Sequence, residues 1–262
     1  MRIDLDRGGR LASLGVEDLE LLVGAEAVDS DPRSSFLWGC YPMAPYAGRV
    51  RNGRFEWNGL QYQLELGMPP HAIHGSVFDR SWEVSASSGT EAVLETSLGE
   101  NWPFEGSALQ RIALEPGGLR LHLEVHSDSE VFPASLGWHP WFQRQLARGA
   151  GAELEFSAAS MYTRDAEGIP DGTLAPPSQR PWDDCFTDLE ANPRIRWPAA
   201  LELELSSSVR HWVVYDETAH AICVEPLTAP PDVFNIRTEP FTPVSPGAPL
   251  AAEFNLVWRS LA

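Results

Sequence analysis

Glu225 closes the apolar run Ala221-Ile222-Cys223-Val224, and Pro226 and then Pro230-Pro231 follow it directly. The run reads as a buried strand that stops where irregular backbone begins. A carboxylate in that position is held on a rigid element and partly removed from water. Desolvation raises its pKa and makes it a better proton acceptor near neutral pH. The ordinary alternative is a strand-end Glu that is exposed or paired with an arginine, since carboxylates are mostly exposed.

A proton acceptor needs a donor to work against, and the histidines are the candidates. His139 lies in Ser135-Leu136-Gly137-Trp138-His139-Pro140-Trp141-Phe142. Pro140 biases His139 toward extended backbone. Trp138, Trp141 and Phe142 are expected to surround the imidazole with flat apolar surfaces, which suit the C–H faces of a sugar ring in a pocket with few polar groups. The competing account is an aromatic core corner with a satisfied histidine. His71 and His74 lie in Pro69-Pro70-His71-Ala72-Ile73-His74-Gly75, which reads as a loop. The His-x-x-His spacing lacks a third ligand and the i, i+4 helical spacing of zinc proteases, so no metal is expected there. Gly75 predicts a close backbone turn.

His122 and His126 fall on the polar face of a strand, and His211 and His220 flank strand ends; all four read as solvated or structural. Arg49, in Gly48-Arg49-Val50-Arg51-Asn52-Gly53-Arg54, can offer a donor fork to hydroxyls or a carboxylate. The alternative is three surface arginines. Trp182-Asp183-Asp184-Cys185-Phe186 puts two carboxylates into an otherwise apolar segment read as a loop, where plain turn chemistry would also account for Asp. No nucleophile elbow, P-loop or GxGxxG is present. The set offers acids and bases without a nucleophile, a metal site or a cofactor site.

Period-2 alternation supplies the elements that would hold these groups. Leu119, Leu121, Leu123 and Val125 alternate with Arg120, His122, Glu124 and His126; Leu201, Leu203 and Leu205 alternate with Glu202 and Glu204. Both read as strands with one wet face. Asn58-Gly59 separates two alternating runs and signals a hairpin. Further strands are expected at 82–86, 92–98, 107–115, 152–157, 211–216, 220–225 and 251–258, and Leu19–Val23 reads as a strand too. Loops are expected at 29–48, 67–80, 164–186 and 226–249, and loops of such length in a compact domain are usually functional. No repeat, low-complexity tract or linker divides the chain, so residues 1–262 are expected to form one all-β domain of two packed antiparallel sheets.

Ten Trp, 22 Pro and 21 Gly in 262 residues favour short strands and turns over long helices. A chain of this length buries enough surface to need no disulfide or metal staple. The net charge of −18 disfavours nucleic acid and anionic membranes as partners. Cys40, Cys185 and Cys223 are odd in number and widely spaced, which suits a reduced, cytoplasmic compartment. Neither a signal-peptide pattern nor an apolar stretch of about 20 residues is found.

Taken in order, these segments resemble the aldose 1-epimerase (galactose mutarotase-like) family over about residues 36–257. Pro45-Tyr46-Ala47-Gly48-Arg49-Val50 resembles its Asn-Arg-Ile segment, with Gly48 where Asn is common. Ala72-Ile73-His74-Gly75 and Gly137-Trp138-His139-Pro140-Trp141-Phe142 look like its two histidine motifs. Trp182–Phe186 looks like its sugar-binding Asp segment, and Val224–Asp232 with Phe234-Asn235 like its Glu motif. The resemblance implies a β-supersandwich and cofactor-free interconversion of the α and β anomers of an aldose such as glucose or galactose. It implies Glu225 as the base for the C1 hydroxyl and His139 as the acid for the ring oxygen. His74 is then a partner near the ring oxygen. Arg49, Asp183 and Trp141 are then sugar-binding, Asp183 being preferred to Asp184 by its place in the motif. Two alternatives are an epimerase of a charged sugar (a hexose 6-phosphate or sulfo-sugar, served by Arg49, Arg51, Arg80 or Arg144) and a carbohydrate-binding protein without activity.

Overall fold

The computed structural model describes residues 1–236 and 241–261; residues 237–240 of the expected 226–249 loop lie outside the described residues. Two large antiparallel sheets form a β-supersandwich, the all-β architecture expected from the alternation. The first sheet runs, strand beside strand, Arg2–Asp4, Arg10–Ser13, Cys40–Met43, Gly137–Pro140, Ala221–Leu227, His211–Tyr215, Asp183–Leu189, Ala158–Arg164 and Pro170–Ala175. Phe142–Gln143 also pairs with Ala221–Leu227. The second runs Glu83–Ser87, Glu91–Ser97, Gly106–Glu115, Gly118–Ser127, Leu250–Ser260, Leu201–Ser207, Arg194–Trp197 and Glu153–Glu155.

The main core lies between the sheets. Leu119, Leu121, Leu123 and Val125, with Leu201, Leu203 and Leu205, enter it from the second sheet. Trp138, Phe142, Trp212, Ile222 and Val224 enter it from the first. Each fully buried side chain of this kind contributes roughly 1.5–3 kcal/mol by leaving water. The outward residues of Gly118–Ser127 stay wetter: His122 and His126 both approach Glu124, at 2.7 and 2.6 Å, and hold its carboxyl below the usual range against the opposing effect of partial burial.

The Asn58-Gly59 hairpin forms as expected. Trp57 pairs with Leu60, and both turn residues have positive φ, 51° and 78°, the conformation of a type I′ turn. Several loop expectations are corrected. Cys40–Met43, Ala72–Ile73 and Pro170–Ala175 are strands inside segments expected to be loops, Asp183–Leu189 begins in one, and the strand bearing Glu225 continues through Pro226 to Leu227 because both residues still pair with His211–Tyr215. Pro, Gly or Asp obscured each of these short strands; Cys40–Met43 and Asp183–Leu189 also depend on partners far along the chain, whereas Pro170–Ala175 folds back on Ala158–Arg164. Conversely, only Leu19–Glu20 of the expected Leu19–Val23 strand is extended in a ladder.

The central strands of the first sheet, Cys40–Met43, Gly137–Pro140 and Ala221–Leu227, are buried on both faces, and register decides which residues reach which face. Pairing of Gly137 with Leu227, His139 with Tyr41, Val213 with Glu225, Tyr215 with Cys223 and Asp183 with Tyr215 fixes the alignment across five strands. Side chains two apart on a strand share a face. Tyr41, His139, Trp141, Cys223, Glu225, Val213, Tyr215, Cys185 and Asp183 therefore stand together on the face turned away from the second sheet. Tyr41, Trp141 and Cys223 of this set also belong to a smaller apolar cluster with Met43, Ala221 and Leu227.

Candidate active site

This outer face carries a pocket of about 330 Å³, within the range of small-ligand sites. Glu225, His139, His74, Arg49, Asp183 and Trp141 all line it. Every site residue expected from the sequence thus meets in one cavity. A larger groove of about 1100 Å³ runs nearby, but it is open and lined by Glu65, Asp79, Glu100, Glu105 and Asp128 without a histidine.

Glu225 is 3% exposed and stands beside His139, with Nε2 3.3 Å from a Glu225 carboxylate oxygen. Burial pushes the Glu225 carboxyl well above the ordinary carboxylate range; the charge of Asp183 adds to this and Arg49 opposes it. Burial likewise pushes the His139 imidazolium down to about 3, with the Arg10 cation adding. Both directions follow from the cost of a charge away from water. Their chemical meaning is complementary: the carboxylate is a stronger base than usual, and the imidazolium, once formed, a stronger acid.

The His139 ring is held by its neighbours. Trp141 stacks on it at 5.1 Å and 7°, Tyr41 lies 5.0 Å away, and His74 meets it edge-on at 5.1 Å. Arg10 sits behind, fully buried, its guanidinium over the Trp38 and Tyr41 rings and donating to the carbonyls of Arg7, Trp38 and Phe78. One expectation changes here. Trp138 and Phe142 do not surround His139. Strand alternation sends them into the inter-sheet core, where Trp138 donates to Gln110 at 3.0 Å. Trp141 shares the His139 face, but its ring stacks with both His139 and His220. It is a wall that fixes the imidazole, and only a small part of it is open to the pocket.

His74 and Arg49 arrive on a separate two-stranded ribbon, Arg49–Val50 paired with Ala72–Ile73. His74 has a left-handed backbone, φ 61°, and its N–H donates to Gly48 O at 2.9 Å. Gly75 follows at φ 81°; a Cβ there would lie 2.0 Å from Ala44 O, so only glycine fits the turn. This geometry aims the imidazole inward. Burial, then the His139 and Arg49 charges, holds His74 well below the usual histidine range, hence neutral. His71 faces elsewhere and accepts from the Asn52 N–H at 3.2 Å.

Asp183 is tied to two arginines, Arg49 at 3.8 Å and Arg164 at 3.6 Å. Burial still raises its carboxyl above the usual range. Arg164 also reaches Asp184 at 2.6 Å. Sequence reasoning missed Arg164: it falls at the start of the expected 164–186 loop, whereas it ends the Ala158–Arg164 strand, whose pairing with Asp183–Leu189 brings it to the pocket. Arg51 and Arg144 are spent on structure. Arg51 pairs with Asp165, Glu167 and Asp232, and Arg144 donates to the carbonyls of Asp216 and Thr218. Arg80 lines the open groove instead.

The loop after Glu225 closes against the ribbon. The Asp232 N–H donates to Arg49 O at 2.8 Å, and the Arg51 N–H donates to Asp232 Oδ1 at 2.9 Å. Gly48 (φ 71°) lies against Pro231.

A family model described as aldose 1-epimerase matches residues 5–256. Among solved structures, a galactose mutarotase-like protein of Clostridium acetobutylicum superposes with a TM-score of 0.85 at 16% identity, covering 99% of this chain and 92% of that one. Galactose 1-epimerase of Lactobacillus acidophilus NCFM gives 0.76 at 16% identity, covering 98% and 90%. At these identities the likeness is one of fold. The uncharacterized protein YphB of Escherichia coli K12 is 30% identical over 125 residues, 44% of this chain and 42% of that protein. The matched part thus spans less than half the length of this curated relative. No helix among the described residues is long and apolar enough to cross a membrane.

Proposed function

The chain belongs to the aldose 1-epimerase family, and from that premise we propose that it interconverts the α and β anomers of a free, uncharged hexose such as glucose or galactose. The observation that carries this is the Glu225–His139 pair, 3.3 Å apart on the wall of a sugar-sized pocket. Glu225 takes the proton from the C1 hydroxyl while His139 gives one to the ring oxygen. The C1–O5 bond breaks, the aldehyde forms, and rotation about C1–C2 presents its other face. Closure runs the transfers in reverse. Because O1 and O5 are bonded to the same carbon, the two protein groups must be near neighbours, as these are. Arg49, Asp183 and neutral His74 hold hydroxyls. A positioned acid or base contributes roughly 10²–10⁴-fold each, and proton transfers alone require no cofactor.

Charge in the pocket favours a neutral sugar. Its arginines 33, 49 and 164 face Asp183, Asp184, Glu217 and Glu225, and Arg33 is engaged by Asp31 at 3.1 Å. Among the described residues, a phosphate or sulfonate would meet no pocket cation free of a carboxylate. Three free, buried cysteines and the net charge of −18 support a reducing cytoplasm and a partner set without nucleic acid or membrane. The test is an anomer-exchange rate by NMR with glucose, galactose, glucose 6-phosphate and sulfoquinovose. Faster exchange of the neutral hexoses is expected. Preference for the charged sugars would transfer the assignment to that class, and binding without exchange would make the chain a carbohydrate-binding protein.

A further inference from the structure

Cys223 stands two residues before Glu225 on the same buried strand and the same sheet face. Its thiol sulfur, a Glu225 carboxylate oxygen and a His139 ring nitrogen all lie within 4.8 Å of one another. All three residues are buried. Anomerisation uses the carboxylate and the imidazole and leaves the thiol without a task. We propose that Cys223, His139 and Glu225 form a binding site for a borderline-soft divalent cation of the Zn²⁺ type, which reversibly switches off the acid–base pair. The proposal concerns control of the site described above, and the switching part of it rests on that function.

Geometry supports the set. Nitrogen and oxygen ligands at about 2.0–2.2 Å from a tetrahedral zinc lie about 3.4 Å from each other. The His139–Glu225 separation of 3.3 Å already matches that edge. Sulfur at about 2.3 Å from the metal needs only slightly longer edges, so Cys223 Sγ must close by little more than an ångström, within reach of a side-chain rotation. Thiolate, imidazole and carboxylate together select zinc or cobalt over magnesium or calcium, which want oxygen alone. Three protein ligands leave a fourth position, and His139 and Glu225 direct it into the pocket.

The metal would occupy the electron pairs that otherwise meet O1 and O5, so sugar turnover and metal binding exclude each other. On binding, the thiol proton and the proton carried by the Glu225–His139 pair pass to solvent, and two electron pairs previously protonated become metal bonds. His139 Nδ1 has no hydrogen-bond partner among the described residues. Resident zinc sites give their histidines such an outer partner. Its lack here makes the site weaker than a structural one and the inhibition reversible.

The experiment is a titration of the full chain with Co²⁺, followed by the near-ultraviolet thiolate-to-cobalt absorption band. In parallel, NMR anomer exchange is measured with and without Zn²⁺, each variant compared with itself. The wild type should show the band, and a chelator should abolish it. Cys223→Ala should lose the band and Glu225→Gln should weaken Co²⁺ binding by about tenfold or more. Zn²⁺ should slow exchange in the wild type and at least about tenfold less effectively in Cys223→Ala. No band in the wild type, or an equal band in Cys223→Ala, overturns the proposal without depending on any variant's activity. A chain that binds Co²⁺ through Cys223 but anomerises no sugar keeps the metal site and overturns the function instead.

Discussion

Glu225 and His139 meet across adjacent antiparallel strands, His139 Nε2 lying 3.3 Å from a Glu225 carboxylate oxygen with both side chains buried. Glu225→Gln keeps the shape and removes the basic oxygen. It should leave sugar affinity within a few-fold of wild type and lower kcat by about 10²–10⁴. Polarimetry on freshly dissolved α-glucose checks this; a wild-type rate would remove Glu225 from the chemistry.

The pH profile should lack a limb at the ordinary imidazole value. The working pair carries one proton. A second proton disables the base, and burial has pushed His139 down to about 3, so the acid limb belongs near there. Loss of the last proton disables the acid, and burial has raised Glu225, so the alkaline limb lies well above a normal carboxylate. These are properties of the pair as a unit. In chelator-treated buffer, kcat/KM should be flat from about pH 5 to 7, and a limb near about 6.5 would show that His139 titrates as an exposed histidine.

Arg164→Met should act on binding and stability together. It strips Asp184, whose side chain is 6% exposed, of its 2.6 Å partner, and strips Asp183 of one of two. Leaving a buried carboxylate unpaired is costly, but Arg164 is itself about a third exposed, so the loss should be about 1–2 kcal/mol. KM should rise about tenfold with a smaller change in kcat. Thermal melts and NMR kinetics on Arg164→Met and Arg164→Lys decide it, Lys restoring part of the stability.

Gly48→Ala should be poorly tolerated despite its small size. The new methyl carbon would sit 2.7 Å from the Pro231 ring, at a φ of +71° that alanine resists. A destabilisation of about 1–3 kcal/mol is expected, with reduced kcat/KM because Arg49 is the next residue. An unchanged melting temperature would show that the two loops separate freely.

Much of this site was legible because its chemistry sits beside local signals. Pro226 and Pro230-Pro231 signal that the strand bearing Glu225 is near its end, although it runs on through Pro226 to Leu227; Gly75 marks the turn that aims His74, and Asn58-Gly59 fixes a hairpin by its own φ angles. What escaped depends on register. Trp138 and Trp141 are close in sequence, yet one enters the core between the sheets and the other walls the pocket. Asp183 looked like a loop residue because the strand it begins is recognised only through pairing with His211–Tyr215. Arg164 carries no sequence mark, and Arg51, which looked equally available, is taken by three carboxylates. His211 gave no sign that it is buried against the Tyr162 hydroxyl at 3.2 Å.

The proposed acid–base pair stands on neighbouring strands of one ladder, whereas Arg49, His74, Phe36 and Pro231 reach the pocket from the ribbon and loops above it. The two sets are therefore under separate construction. Backbone pairing sets the spacing of acid and base, and that spacing suits a bond every aldose shares. On the proposed function, the covering segments would meet the hydroxyls by which aldoses differ. Exchange of those segments between related chains is a route to new sugar preferences that leaves the proton transfers untouched.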